Sequence, residues 1–326
     1  MAEGTRLSFP PFVTESLAAS GYHCVVTGGG GWIGQAVLEM LDGALGQQIY
    51  ERVRVFGSSA RAIHLRSGRA VKCQTLEHIE GASHAPTLFI HCAFLTKDRL
   101  QNVSTSDFVA ANRTIATRVA AAIEQSDARG IFVPSSGAAY KRGTHLLEDD
   151  LAANPYGVMK REDEERFGAL AAARGIPLCQ PRLFNLSGPF INKHELYALA
   201  SMINSALAGM PIKIVSPPRV VRSYVDVGDL VTLAFAMLLT PQKGNKAVFD
   251  TAGEEALEIG DLAALVLDTL GRRDLRIERA DAEEKQNDVY AGDGREMARM
   301  MRSYSLTPKS MSRQILDTAA YLSDIR

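Results

Sequence analysis

The chain has little cysteine, no clustered charge and no long apolar run, and each shortage removes a class of protein. Its four cysteines, Cys24, Cys73, Cys92 and Cys179, are scattered over 326 residues with no CxxC pair and no Cys/His ligand spacing. That pattern argues against a disulfide scaffold and against a metal site. Three of the cysteines stand in apolar runs, where buried reduced thiols and a cytoplasmic location are expected. Lysine and arginine number 36 against 37 acidic residues and are spread along the chain, for a formal net charge of -1. No basic stripe points to nucleic acid, and no polybasic run points to a membrane surface. No uninterrupted apolar segment approaches the roughly 20 residues needed to cross a bilayer. The N-terminus has no charged segment followed by an apolar core, so no signal peptide is expected. Fixed-period repeats and low-complexity tracts are absent.

What is present is an ordinary globular composition, 46% apolar and 22% charged, with enough apolar material for one large or two modest domains. The most informative stretch is residues 22–34, YHCVVTGGGGWIG. A β-prone run ends in Gly28, Gly31 and Gly34, and an apolar helical pattern through Ile33, Ala36, Val37, Met40 and Leu41 follows. This reads as a strand, a tight turn and a helix N-terminus, the arrangement that holds a dinucleotide pyrophosphate on free N–H groups. Four consecutive glycines also make a flexible loop, so the rest of the chain must decide.

Downstream, β-prone runs at 52–56, 88–93, 130–134 and 178–183 alternate with helical patterns at 33–44, 106–124 and 156–173. Alternation of this kind predicts an α/β fold, a Rossmann-type doubly wound parallel sheet. The expected boundaries are an N-terminal extension over 1–20, a dinucleotide-binding domain over 21–186 with returns at 222–252, and a smaller mixed C-terminal substrate lobe over most of 187–326. Methionines 297, 300, 301 and 311 read as core or interface filler.

Tyr156 and Lys160 lie four apart in PYGVMK, which places them on one face of a helix. A free phenol titrates near pH ~10, and a neighbouring ammonium favours its phenolate, so the pair suits proton transfer. The same spacing also occurs on helices that carry no chemistry. Ser135-Ser136 closes a predicted strand at the carboxyl edge of the sheet, where such folds place ligands. His91 lies inside a strand run and reads as a packed core histidine, and Asp149-Asp150 as a loop or cap before the Tyr156 helix.

With these residues in view, the sequence resembles the extended short-chain dehydrogenases/reductases, the nucleotide-sugar epimerase/dehydratase family. TGGGGWIG is similar to its TGxxGxxG, VPSSGAAY to the segment of the catalytic serine, PYGVMK to YxxxK, PRLFNLSGP to RxxNxxGP, and RSYVDVGDLV to an arginine-bearing strand followed by aspartate. The resemblance implies that Ser136 polarises the reacting oxygen, Tyr156 transfers the proton, Lys160 holds the nicotinamide ribose and keeps Tyr156 acidic, and Asn112 supports the site. It implies cofactor contacts at Gly28, Gly31, Trp32, Ile33, Gly34, Cys92, Ala93, Phe94 and Leu183. Substrate contacts are implied at Gly137, Ala138, Asn185 and Arg222, and a homodimer through helices 106–124 and 156–173.

Two departures from the family pattern refine this. The second strand ends without the acidic residue of NAD-keeping members and instead offers Ser58, Ser59 and Arg61, which favours NADP(H) over NAD(H). Gly137 and Ala138 stand where dehydratases carry an Asp-Glu pair, so dehydration is not expected. The sequence reading is therefore an NADP(H)-dependent reductase of a 4-keto nucleotide sugar. The alternatives are a nucleotide-sugar 4-epimerase and, from another class, a catalytically idle NADP(H)-sensing protein.

Overall fold

A computed structural model describes residues 6–81, 84–215, 219–253, 255–279 and 288–325. The chain forms two compact units, Leu7–Arg182 with Val231–Phe249, and Leu183–Leu230 with Asp250–Arg326.

The first unit begins before the first strand. Helix α1 (Pro11–Ser20) starts on a proline and ends at Gly21, whose φ of 64° only glycine adopts easily. Phe9, Val13 and Leu17 are buried, and the Phe9 ring packs on Phe235 at 4.7 Å. Arg52 closes the C-terminus of α1 by donating to the carbonyls of Leu17 at 2.8 Å and Tyr22 at 2.7 Å. Thus the described part of the segment read as an extension supplies core to this unit.

The glycine turn lies between β1 (His23–Thr27) and α2 (Trp32–Leu45). There follow a short α3 (Ile49–Arg52), β2 (Val53–Gly57), β3 (Arg61–His64), β4 (Ala70–Thr75) and β5 (Thr87–His91). Next come α4 (Thr105–Glu124), β6 (Ala128–Phe132), a two-residue β7 (Ser135–Ser136), α5 (Pro155–Arg174) and β8 (Leu178–Leu183). The second unit then takes β9 (Leu186–Ser187), α6 (Ala198–Leu207), β10 (Ile212–Ile214), β11 (Val220–Ser223) and β12 (Val225–Asp226). Through α7 (Val227–Leu239) the chain reaches β13 (Val248–Asp250), which joins the large sheet.

The strand order of that sheet is β13-β8-β6-β5-β1-β2-β4-β3, with β7 paired to β8. The pairs β1/β2, β1/β5, β2/β4, β5/β6 and β6/β8 are parallel, and β3 runs antiparallel to β4 at the edge. Cys24 of β1 faces Val53 on one side and Leu88 on the other. Chain order reverses about β1, and a doubly wound sheet opens its ligand crevice at such a reversal, beyond the carboxyl ends of the strands. Every residue of β5 is buried, as a central strand covered on both faces requires.

The second unit is mixed, with short sheets. Its β9 and β12 are parallel, and β11 lies between antiparallel β14 (Ala256–Glu258) and parallel β16 (Asp288–Tyr290). Strand β10 pairs with β15 (Ile277–Arg279). Helices α8 (Ile259–Thr269), α9 (Arg295–Ser303) and α10 (Met311–Asp324) complete it. Met297, Met300 and Met301 are buried beneath α9. Among the described residues, no helix is long and apolar enough to cross a membrane, and no group of three or more His, Cys, Asp or Glu side chains could hold a metal ion.

Candidate active site

The glycine run is packed rather than loose. Gly28 has φ 71°, and a Cβ there would lie 2.6 Å from the backbone of Cys92 and Ala93. A Cβ on Gly34 would strike the Gly28 carbonyl, so α2 rests directly on the turn. Gly31 N–H closes the turn by donating to the Gly28 carbonyl at 2.9 Å, and Gly28 N–H donates to Phe56 at 2.8 Å. Trp32 and Ile33 open α2 immediately behind. The first turn of α2 contains no acidic residue, which suits a helix end that receives an anion. These residues fit a dinucleotide pyrophosphate.

Beyond β2, Ser58 and Ser59 are exposed. Arg61 donates to the Ser59 hydroxyl at 3.3 Å, and its guanidinium lies over Gly30, where an added Cβ would run into it. The Arg61 cation therefore borders the glycine turn, with the Ser59 hydroxyl bonded to it.

The segment after β5 is fixed from both sides. Thr27 Oγ1 is 2.7 Å from His91 Nδ1 and accepts from Ala93 N–H at 3.2 Å. Burial, with the Lys160 charge adding to it, pushes the His91 pKa down to about 3. The neutral ring packs 5.1 Å from Phe167, as the core reading expects. On the other side, buried Asn112 of α4 accepts from Leu95 N–H at 2.8 Å and donates to the Leu95 carbonyl at 3.3 Å and to Phe108 at 3.1 Å. Asn112 thus holds a loop rather than facing solvent.

That loop presents Phe94, whose ring lies 3.7 Å from the Lys160 ammonium and edge-on to the Tyr156 ring at 5.6 Å. Tyr156 and Lys160 occupy the first turns of α5, which Asn154 caps by accepting from Gly157 N–H at 2.9 Å. Lys160 is buried and donates to the Pro134 carbonyl at 2.9 Å. Burial lowers its pKa, and the carboxylates of Asp163 and Glu164 oppose that fall. Ser136, two residues after Pro134, accepts from Ala138 N–H at 3.2 Å. No side chain fits at Gly157, because a Cβ there would collide with the Ala138 carbonyl. The serine segment and the tyrosine helix are therefore in direct contact at Gly157. Leu183 ends β8 and is half-buried.

In the second unit, Asn185 donates to the carbonyls of Ser223 at 3.0 Å and Tyr290 at 3.4 Å. Arg222 pairs with the Asp288 carboxylate at 2.7 Å and also donates to its carbonyl at 2.9 Å. Both residues read as substrate contacts are thus tied into the β11/β16 region, and the guanidinium already has a carboxylate partner.

Sequence reading missed Asn154 and Glu164, and gave no role to Arg182, the arginine of the stretch similar to RxxNxxGP. Asn154 also donates to the Ala138 carbonyl and to Glu148, each at 3.1 Å. Glu164 is buried and receives two hydrogen bonds from Arg182, at 2.7 and 2.5 Å. Its signal was its place four residues after Lys160, on the same helix face. Of the Asp149-Asp150 pair, Asp150 caps a turn by accepting from Ala152 and Ala153 N–H at 3.0 Å, and Asp149 pairs with Lys141 at 2.5 Å.

The reversal of strand order about β1 and the packed glycine turn define a Rossmann-type dinucleotide fold. The chain belongs to the NAD dependent epimerase/dehydratase family, whose model matches residues 24–252, and is an enzyme of the extended short-chain dehydrogenase/reductase class. Its fold is that of a UDP-N-acetylglucosamine 4-epimerase from Methanobrevibacter ruminantium solved with UDP-N-acetylmuramic acid, at TM-score 0.73 and 16% identity over 94% of this chain and 99% of that one. A UDP-glucose 4-epimerase from Thermotoga maritima, solved with UDP-glucose, gives 0.69 and 18% over 93% and 99%. A UDP-glucuronic acid 4-epimerase from Bacillus cereus, solved with its UDP-sugar and NAD, gives 0.69 and 17% over 93% and 100%. No curated protein matches the sequence significantly.

Proposed function

We propose that the protein is a nucleotide-sugar 4-epimerase that works with a retained nicotinamide dinucleotide. The observation that carries this reading is the contact between the Ser136 segment and the start of α5, with Lys160 donating to Pro134 at 2.9 Å. A bound nicotinamide would take a hydride from the sugar carbon and return it to the opposite face. Tyr156 takes the hydroxyl proton at its phenolic oxygen and gives it back on return, a positioned acid and base. Ser136 Oγ holds the reacting oxygen by hydrogen bond. Lys160 stabilises the phenolate by its charge and offers donors to the ribose. Asn112 fixes the loop that carries Phe94. The glycine turn with Trp32 and Ile33, the Cys92, Ala93 and Phe94 segment and Leu183 hold the dinucleotide. Gly137 and Ala138 in the first unit, and Asn185 and Arg222 in the second, are the candidate contacts for the nucleotide sugar, Arg222 by exchanging Asp288 for a phosphate. The presence of both Tyr156 and Lys160 speaks against an idle sensor. The epimerase reading draws on the named 4-epimerases of the same fold.

One observation favours the second reading, an NADP(H)-dependent 4-keto reductase. Arg61 lies over Gly30 beside Ser59, and no carboxylate stands between Val55 and Arg61 to repel a 2′-phosphate. Mass spectrometry of the nucleotide that co-purifies, followed by incubation with UDP-glucose, UDP-N-acetylglucosamine and UDP-glucuronic acid, tests both readings. Bound NAD and a C4 epimer formed without net cofactor oxidation support the epimerase. Consumption of NADPH with a 4-keto nucleotide sugar supports the reductase. A homodimer through α4 and α5 belongs to either reading. The outer side of that helix pair carries the Arg113–Glu162 ion pair at 2.7 Å, and light scattering near 35.3 kDa would contradict the dimer.

A further inference from the structure

Helix α5 grips the serine strand at three successive points. Asn154 donates to the Ala138 carbonyl at 3.1 Å, Lys160 to the Pro134 carbonyl at 2.9 Å, and Glu164 accepts from the Ser135 hydroxyl at 2.5 Å. The last is the most elaborate. The Glu164 carboxylate is buried and accepts from the Ser135 hydroxyl and from two guanidinium N–H groups at once. The same Arg182 donates to the Tyr140 hydroxyl at 2.5 Å and stacks 4.4 Å from the Tyr140 ring. Ser135 is the neighbour of Ser136, and Tyr140 closes the turn that follows it. Arg182 stands on β8, the strand that pairs with β7.

We propose that Glu164 and Arg182 are positioning residues of the reaction, a buried carboxylate–guanidinium fork that fixes the strand carrying Ser136 against the helix face carrying Tyr156 and Lys160. Residues 156, 160 and 164 share one face of α5. Whatever holds Ser135 at 164 therefore sets how Ser136 and the Pro134 carbonyl meet 156 and 160. A fork of fixed planar geometry suits this task because two parallel bonds define orientation as well as distance. Lys160 depends on it directly, since its own anchor is the carbonyl one residue before Ser135. Loss of the Ser135 tether lets that carbonyl drift, takes the ammonium with it and weakens the charge that favours the Tyr156 phenolate.

The inference rests on the reading that Tyr156 and Lys160 act as a pair, and the test separates the two. The ionisation of Tyr156 is read without substrate or cofactor, as the near-ultraviolet difference between each protein and the same protein carrying Tyr156→Phe. In the parent, Tyr156 is expected to ionise below the ordinary phenol value of ~10. Ser135→Ala removes the tether and changes no charge. It should move that ionisation upward by about half a pH unit or more, with the melting temperature nearly unchanged. Tyr140→Phe, which loosens the far end of the fork, should move it in the same direction by less. An ordinary phenol ionisation in the parent overturns the pairing of Tyr156 with Lys160. A low value that stays equally low in Ser135→Ala and in Tyr140→Phe overturns the positioning role alone, and a fall in melting temperature without a change in ionisation assigns the fork to stability only.

Discussion

The Lys160 ammonium lies 3.7 Å from the centroid of the Phe94 ring, and the same ring meets Tyr156 edge-on at 5.6 Å. One aromatic side chain thus touches both members of the proton-transfer pair. Burial works against the lysine charge, and the face of a ring returns part of what the lost water supplied. Phe94 is held there from outside, because Asn112 bonds both backbone groups of its neighbour Leu95. Phe94→Leu keeps the apolar volume and removes the ring face, a loss of about 1 kcal/mol at a desolvated site. Turnover should fall roughly five-fold, while Phe94→Tyr stays near the parent. Equal rates for Leu and Phe would show that the ring face does not matter.

Tyr156→Phe removes one oxygen from a half-buried ring that keeps its contact with Phe94. Turnover should drop by ~10²-fold or more, the usual scale for a positioned acid or base, with folding and cofactor binding retained. Rate per folded molecule and melting temperature measured on the same samples distinguish this from a packing role, in which melting would change and rate would not.

How much of this was legible in the sequence follows from the range of each interaction. The glycine turn was legible because its constraints are local, with Gly28 at φ 71° and Gly34 packed on the carbonyl of Gly28. Tyr156 and Lys160 were legible because helix periodicity alone puts them on one face. The Glu164–Arg182 fork was not, since its partners are 18 residues apart and meet only where β8 pairs with β7. Arg222 could be named from its strand motif, but its partner Asp288 lies 66 residues away. The buried role of α1 escaped because its apolar residues are too few to draw a clear stripe. The edge hairpin of β3 and β4 escaped because Arg61–His64 buries only Ile63.

Arg61→Ala should weaken NADPH binding tenfold or more, about 1.4 kcal/mol, and leave NADH within about two-fold. The guanidinium borders the glycine turn and has no carboxylate beside it on the β2 end, so a 2′-phosphate gains from it and a 2′-hydroxyl does not. Fluorescence titrations of both dinucleotides check this, and equal losses would remove the argument for an NADPH preference and with it the support for the reductase reading.

In the second unit, three carboxylates surround one lysine. Lys309 Nζ pairs with Asp226 at 3.0 Å and Asp317 at 2.8 Å, while its backbone N–H donates to Asp229 at 2.7 Å. Arg313 adds a partner to Asp317 at 2.9 Å. Burial first, and then the Asp226 charge, push the Asp229 pKa up to about 7. A carboxyl that holds its proton more tightly folded than unfolded contributes stability at low pH and loses it as pH rises from the ordinary carboxyl range toward 7. Asp229→Asn keeps an acceptor for Lys309 N–H and abolishes the titration. The variant should melt higher than the parent near pH 8, by roughly 2–4 °C for each ~1 kcal/mol relieved, and the difference should shrink toward about pH 5. Parallel melting curves across that range decide the matter, because a variant less stable than the parent at the alkaline end would mean that the ionised Asp229 strengthens the cluster through Lys309 instead of straining it.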